Sequence, residues 1–283
     1  MGETDRIVLG EEETYLPELP EVESVRRSLI ANQGAKIKAI ELNREDIVRR
    51  HDFAIDRLQD KNIREFSRRG KYLILNLGPG YNLIIHLGMS GRFYQLNEDS
   101  DITAKHVHAV IWLDNGKKLV YEDPRRFGGL YLIKNRKQFF NRMGVEPLTK
   151  EFTPAYLHKI TRNRKIAIKS FLLSQNQVCG IGNIYADESL HLAGIRPDRP
   201  AGSLTAGEAE RLCQAIKKVL QQSIDSQGTT FRDYRNGLNQ EGGNQSNLQV
   251  YGKDKEQCPN CGEVICKQTI GGRGTHFCEK CQK

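Results

Sequence analysis

The sequence predicts an α+β fold: a β-rich block, then a helical block, then a small metal-binding tail. Three observations predict it. Apolar residues alternate in short runs from residue 36 to about 133, their spacing becomes helical beyond residue 154, and five of the seven cysteines fall within the last 26 residues. At 283 residues there is room for two domains and an appendage, and a hydrophobic content of 38% suits a globular chain.

The first structured element is predicted just after residue 17. Val22, Val25, Leu29 and Ile30 fall at helical spacing, with Pro20 placed for a first turn and Gly34 for a stop. Strand patterns follow in Tyr72 to Leu77, Leu83 to Ile85 and Val107 to Leu113, and Asp114-Asn115-Gly116 between two such runs signals a hairpin. Two prolines in a polar stretch, Glu146 to Pro154, mark the boundary to the helical block. There, Leu172 and Leu173 end one helix, Ile184 to Ala193 form another, and Thr205 with Glu208 makes a capping box ahead of a long amphipathic helix through Ile224. Residues 228 to 247, rich in Gly, Asn, Gln and Thr, read as a mobile loop, and the tail from Leu248 as a separate module.

In that tail, Cys258-Pro259-Asn260-Cys261 and Cys278-Glu279-Lys280-Cys281 are paired CxxC units sixteen residues apart. This spacing suits two knuckles gripping one tetrahedral Zn2+ through four thiolates, a structural site with no open position. Disulfide pairing or redox CxxC motifs are the competing reading, disfavoured by two such units in a basic chain expected in the cytosol. Cys266 lies outside the spacing. Between the knuckles, a glycine-flanked turn presents Arg273; such a hairpin tip is a common way to reach a phosphate, but by itself Arg273 reads more often as a solvated surface charge.

The net charge is +8 and the pI about 9.1, which favours a polyanionic partner. The charge is unevenly placed. The first sixteen residues carry Glu3, Asp5, Glu11, Glu12 and Glu13 against Arg6, so residues 17–283 hold 42 basic and 30 acidic groups. No run approaches a membrane span and the N-terminus is acidic, so neither membrane insertion nor secretion is expected.

Several motifs in order resemble the formamidopyrimidine-DNA glycosylase family, purine-specific branch, from Pro17 to the end of the chain. They are Pro17-Glu18-Leu19-Pro20-Glu21-Val22-Glu23, Arg68-Arg69-Gly70-Lys71, His86-Leu87-Gly88-Met89-Ser90-Gly91, Lys105-His106, Asp123-Pro124-Arg125-Arg126-Phe127-Gly128, Gly180-Ile181-Gly182-Asn183-Ile184-Tyr185 and the cysteine hairpin. The resemblance implies an N-terminal β-sandwich flanked by helices (17–146), a helix-two-turns-helix domain with a base-capping loop (154–247, loop 228–247) and a C-terminal β-hairpin zinc finger (248–283). It implies a bifunctional glycosylase and AP lyase that excises 8-oxoguanine and formamidopyrimidines from double-stranded DNA, a monomer of the bacterial cytoplasm associated with the nucleoid through DNA. Its sister branch, resembling endonuclease VIII and acting on oxidised pyrimidines, typically opens Pro-Glu-Gly-Pro; Leu19 points to the purine branch.

By resemblance Pro17 is the amine nucleophile, Glu18 shuttles protons, Lys71 is the acid for β-elimination and Arg273 assists δ-elimination. His106, Arg125, Arg164 and Asn183, with His86, contact the strands, while Met89, Arg125 and Phe127 fill the gap left by the flipped base. On periodicity alone Met89 and Phe127 read as core residues and Lys71 as one cation at a strand edge. The Gly180 to Asn183 turn ahead of a helix also suits close approach of backbone N–H groups to a phosphate.

Pro17 carries sixteen residues before it, and an amide nitrogen has no lone pair free for an iminium. Three readings compete: a misassigned translation start, a processed or appended leader, and a binding-only descendant. The first is favoured. Leu16 fits an initiating TTG codon, and Gly10 to Glu13 require a purine-rich coding stretch resembling a ribosome-binding site. A zinc-ribbon adaptor outside repair would leave the Pro17 run unexplained.

Overall fold

A computed structural model of the chain describes residues 16–283. The acidic leader lies outside the described residues apart from Leu16. The expected order of elements is present.

Helix α1 (Leu19–Leu29) opens the fold with Pro20 in its first turn and ends ahead of Gly34, whose φ is +90°. Two sheets follow. One is antiparallel, ordered β1 (Ile37–Leu42), β7 (Val107–Leu113), β8 (Lys117–Glu122), β6 (Arg92–Asn97). The other is ordered β2 (Val48–His51), β9 (Gly129–Ile133), β5 (Asn82–His86), β4 (Tyr72–Asn76), β3 (Glu65–Arg69), antiparallel except for the β2–β9 pair. The predicted turn 114–116 joins β7 to β8, with Gly116 at φ +75°.

Alternation puts Leu73 and Leu75 of β4, Leu83 and Ile85 of β5 and Leu130 and Leu132 of β9 on one face. They share a core with Phe93, Ile111, Leu113, Leu119 and Tyr121 of the other sheet and with Val22, Val25 and Leu29 of α1, which is the expected sandwich. On the outer face Ile74, Ile84 and Ile133 meet Phe139 and Phe140 around the short helix α2 (Arg136–Phe139).

The helical unit comprises α3 (Pro154–Thr161), α4 (Ile168–Leu173), α5 (Asn183–Ala193) and α6 (Ala206–Asp225). Thr205 and Glu208 form the predicted capping box on α6. The tail folds as a hairpin of β10 (Cys266–Ile270) and β11 (Arg273–Phe277). Among the described residues no helix is long and apolar enough to cross a membrane.

The units are more interlocked than the sequence suggests. Leu19 of α1 is buried in the helical core, and Tyr234 of the 228–247 segment in the sandwich core. Leu248 and Tyr251 of the tail also belong to the helical core. The segment expected to be mobile is anchored at residues 237–239: Gln95 N–H donates to Gly237 O at 2.8 Å, Gly237 N–H to Ser28 Oγ at 2.8 Å, and Arg92 bonds Asn239. Its polar residues read as solvated because their partners lie far away in sequence.

The tail is held to the helices by an ion pair with no exposed side-chain surface. Lys169 Nζ of α4 lies 2.7 Å from Asp187 Oδ1 of α5 and donates to Gly274 O and Thr275 Oγ1 of the hairpin. Asp187 Oδ2 accepts the His276 N–H at 2.8 Å. Removing one partner leaves the other charge buried, so Lys169→Met is expected to cost about 3–5 kcal/mol in denaturant unfolding; a loss below about 1 kcal/mol would show the pair to be dispensable.

Candidate active site

The Pro17 run meets the glycine turn of the helical unit. Glu18 caps α1, its N–H donating to Glu21 Oε2 at 2.9 Å. Its carboxylate crosses to α5, where Gly182 N–H donates to Oε2 at 2.6 Å and Ile184 N–H to Oε1 at 3.0 Å. These are the unpaired N–H groups of a helix N-terminus, which attract an anion. The sequence suggests that this turn approaches a phosphate; the anion it receives is Glu18. A Cβ on Gly182 would lie 2.2 Å from Glu18 Cδ and 2.5 Å from Lys71 Nζ, so a side chain here must displace both groups. Leu19 N–H also donates to Gly180 O at 3.1 Å, and Gly180 has φ +87°.

Lys71 stands at the turn from β3 to β4. Glu146 clamps that turn, accepting from Gly70 N–H at 2.6 Å and from Arg68 at 2.8 Å. Arg68 in turn reaches Glu23 of α1 at 3.2 Å. Burial pushes the Lys71 pKa down, against the pull of Glu18 and Glu21 and with the help of the Arg273 charge. Burial pushes the Glu18 carboxyl up to about 7, opposed by Lys71, reinforced by Glu21 and opposed by the Ile184 and Gly182 N–H groups. Both members of this acid–base pair are therefore easier to hold neutral than in water.

Glu21, in the first turn of α1, is buried. It accepts from Thr229 N–H at 2.8 Å and from the Tyr185 hydroxyl, and burial raises its pKa. The Gly180 to Tyr185 motif contains Tyr185, but nothing in the sequence joins it to Glu21.

Pro17 is buried and, with Leu16, Glu21, Met89, Ile184, Thr229 and residues 231–234, lines a cavity of about 20 Å³. That is room for about one water. Segment 231–234 fills the space in front of Pro17.

The wedge residues divide. Phe127 is 58% exposed with Arg125 stacked 5.5 Å from its ring, so it is not a core residue; Met89 is half-buried beside Pro17. Buried Asp123 builds their loop, accepting from Ser90 Oγ at 2.6 Å and Gly128 N–H at 2.8 Å, while Arg125 N–H donates to Ser90 Oγ at 3.1 Å. Asp123 and Ser90 lie inside the 123–128 and 86–91 runs that carry the resemblance.

His106 and Arg164 are exposed. His86 stacks on Tyr72 at 4.7 Å, and burial, then the Lys71 charge, push its pKa down to about 4, with Asp123 opposing. Asn183 Nδ2 donates to Gly274 O at 3.0 Å and Tyr251 Oη at 3.2 Å, tying the start of α5 to the hairpin that presents exposed Arg273.

The sulfurs of Cys258, Cys261, Cys278 and Cys281 all lie within 4.8 Å of one another. The Cys258–Cys281 separation is 3.8 Å and the Cys261–Cys278 separation 3.5 Å. A disulfide needs about 2.05 Å, whereas a zinc tetrahedron with Zn–S near 2.3 Å has edges of about 3.8 Å. The donor set fits such an ion. Cys266 stands apart on β10.

Glu18 is harder to ionise folded than unfolded, so its contribution favours the fold below about pH 4.5 and is lost as pH rises through about 7. Carboxyl NMR of protein labelled at glutamate is expected to reveal a side chain titrating near pH 7 that disappears in Glu18→Gln. A Glu18 resonance with a midpoint below 5 would contradict the buried seat.

The sequence and fold have close counterparts. The family model described as formamidopyrimidine-DNA glycosylase N-terminal domain matches residues 16–130, and that described as the family's H2TH domain matches 143–235. A formamidopyrimidine-DNA glycosylase of Syntrophomonas wolfei is 53% identical over 268 residues, covering 95% of this chain and 100% of the relative. One from Pelotomaculum thermopropionicum is 42% identical over 275 residues, with coverage of 95% and 99%. A Lactococcus lactis FPG mutant complexed with Fapy-dG-containing DNA superposes with TM-score 0.87 at 38% identity, covering 94% of this chain and 100% of that one. The Lactococcus lactis protein with abasic-site DNA gives 0.86, with coverage of 94% and 99%. The chain belongs to the formamidopyrimidine-DNA glycosylase family.

Proposed function

We propose that this protein is a base-excision-repair glycosylase and AP lyase that removes oxidised purines from duplex DNA through a Schiff base on Pro17. One observation carries the reading: Pro17, the second residue of the matched region, sits beside a buried carboxyl–ammonium pair, Glu18 and Lys71, with its carboxyl pKa raised to about 7. A secondary amine that is unprotonated attacks the sugar C1′ as the C1′–N bond to the base breaks, and opening of the sugar ring, with a proton delivered to its oxygen, leaves an iminium. A carboxyl poised near neutrality both accepts and gives a proton there, and a lysine with depressed pKa moves protons in the elimination. Arg273 assists the second elimination at the phosphate.

The strand contacts are His106, Arg125, Arg164, Asn183 and His86, with Met89, Arg125 and Phe127 in the gap left by the extruded nucleotide. Exposure of Phe127 at the tip of an Asp123-braced loop supports the wedge role. A base cannot enter the cavity beside Pro17 as it stands, so segment 231–234 moves outward when the nucleotide flips. The four cysteines hold one structural Zn2+, which contributes to folding of the 248–283 module. We assign the catalytic unit to 17–146 and the helix-two-turns-helix unit to 154–247, in a cytoplasmic monomer. Purine preference rests on Leu19; the Lactococcus lactis protein has also been solved with oxidised-pyrimidine DNA, and this keeps such bases as a second substrate class.

The active form is the one in which Pro17 is first. With Leu16 attached, its nitrogen is an amide without a free lone pair. Borohydride reduction of a mixture with 8-oxoguanine duplex is expected to trap an adduct, mapped to Pro17 by mass spectrometry, for the chain starting at Pro17 and none for the chain retaining residues 1–16. An adduct mapped elsewhere, or DNA binding without any adduct from the Pro17 form, would overturn the mechanism.

A further inference from the structure

One face of α5 reads the C-terminal module from its hairpin to its metal site. Asn183, Asp187 and His191 stand four residues apart on the helix and so share a side. Each meets the module at a different level. Asn183 takes Gly274 O next to Arg273, Asp187 takes the His276 N–H, and His191 Nε2 lies 3.5 Å from Cys258 Sγ. Glu188, beside Asp187, accepts the N–H groups of Gln249, Val250 and Tyr251.

The end of the same helix seats the second cysteine pair. Gly194 O accepts Lys283 N–H at 3.1 Å, and Ile195 O accepts Gln282 Nε2 at 2.8 Å while Gln282 Oε1 accepts Cys278 N–H at 2.8 Å. Two of the other cysteines have donors within their own knuckles: the Glu263 N–H for Cys261 and those of Cys281 and Lys280 for Cys278. Cys258 is buried, and the donor facing it comes from another unit of the protein, the buried ring of His191.

We propose that His191 is an outer-sphere partner of the metal, donating its Nε2–H to Cys258 Sγ. This bond slows metal loss and fixes the module's register on α5. The inference rests on the reading that the four cysteines hold zinc. Four thiolates around Zn2+ leave excess negative charge in a partly buried place, and N–H donors offset it. A neutral imidazole carries one N–H, so a thiolate acceptor at Nε2 selects the tautomer with the proton on that nitrogen. His191 also borders a cavity of about 260 Å³ lined by α5, α6, residues 244–249 and Asn260 of the first knuckle.

The test is metal transfer from the full chain, as purified with zinc, to a chromogenic chelator. Wild type, His191→Phe and His191→Gln are compared, Gln placing an amide N–H near the Nε2 position. One zinc per chain is expected in all three, with release about tenfold faster from His191→Phe and within about threefold of wild type from His191→Gln. His191→Asn, whose amide stops short of the sulfur, serves in place of the Phe variant should that not fold, with the same acceleration expected. Release at the wild-type rate from the donor-less variant would overturn the proposal. So would equal acceleration in His191→Gln, which would make ring packing the cause. Wild type without zinc at equal stoichiometry would instead contradict the zinc reading, and this inference with it.

Discussion

The Glu18 carboxylate on the N-terminus of α5 is the contact from which the rest of the site follows. It fixes the chain immediately after Pro17 by two backbone N–H bonds to a different unit, at 2.6 and 3.0 Å. Because the bonds come from helix N–H groups without intrahelical partners, the seat exists only where α5 begins. Gly182 must be a glycine there, since any Cβ would occupy the space shared by Glu18 and Lys71. The same closeness that excludes a side chain excludes water, and this drives the two pKa values toward each other.

α5 extends this control along its length. Its first turn holds Glu18, its middle holds Lys169 and the β11 backbone through Asp187, and its last turns meet the cysteine cluster. Arg273 is thus placed relative to Pro17 by one rigid element, although 256 positions separate them in sequence. Cross-burial of Leu19 and Tyr234 adds apolar contact between the units. The ion pair of Lys169 and Asp187 is a poor source of net stability, given what desolvation costs, but it specifies which backbone atoms meet.

Local signals carried most of the fold. Alternation located β4, β5 and β7, the Asp114-Asn115-Gly116 turn located the β7–β8 hairpin, and Thr205 with Glu208 located the start of α6, because each depends on neighbours within a few residues. The four cysteines were equally legible from spacing. Buried polar partners were not. Glu21 looks like a helix-dipole residue until Tyr185 and Thr229 arrive from more than 160 positions away. Glu146, Asp187 and Glu188 are likewise acidic residues whose roles appear only when the backbone N–H groups they satisfy are brought to them. The anchors of the 228–247 segment are hidden for the same reason, since Gly237 and Asn239 bond to β6 and α1 rather than to each other. Periodicity also placed Phe127 inside, whereas Asp123 turns its loop outward.

The most direct test of the Glu18 seat is the rate of borohydride-trapped adduct formation by Gly182→Ala in the chain that begins at Pro17. The backbone at residue 182 suits any residue, with φ −125°, so the substitution acts through its methyl group on Glu18 and Lys71. The account predicts a folded protein that binds lesion duplex and forms adduct about 100-fold more slowly, the cost of misplacing reacting groups by about an ångström. Adduct formation at the wild-type rate would contradict it.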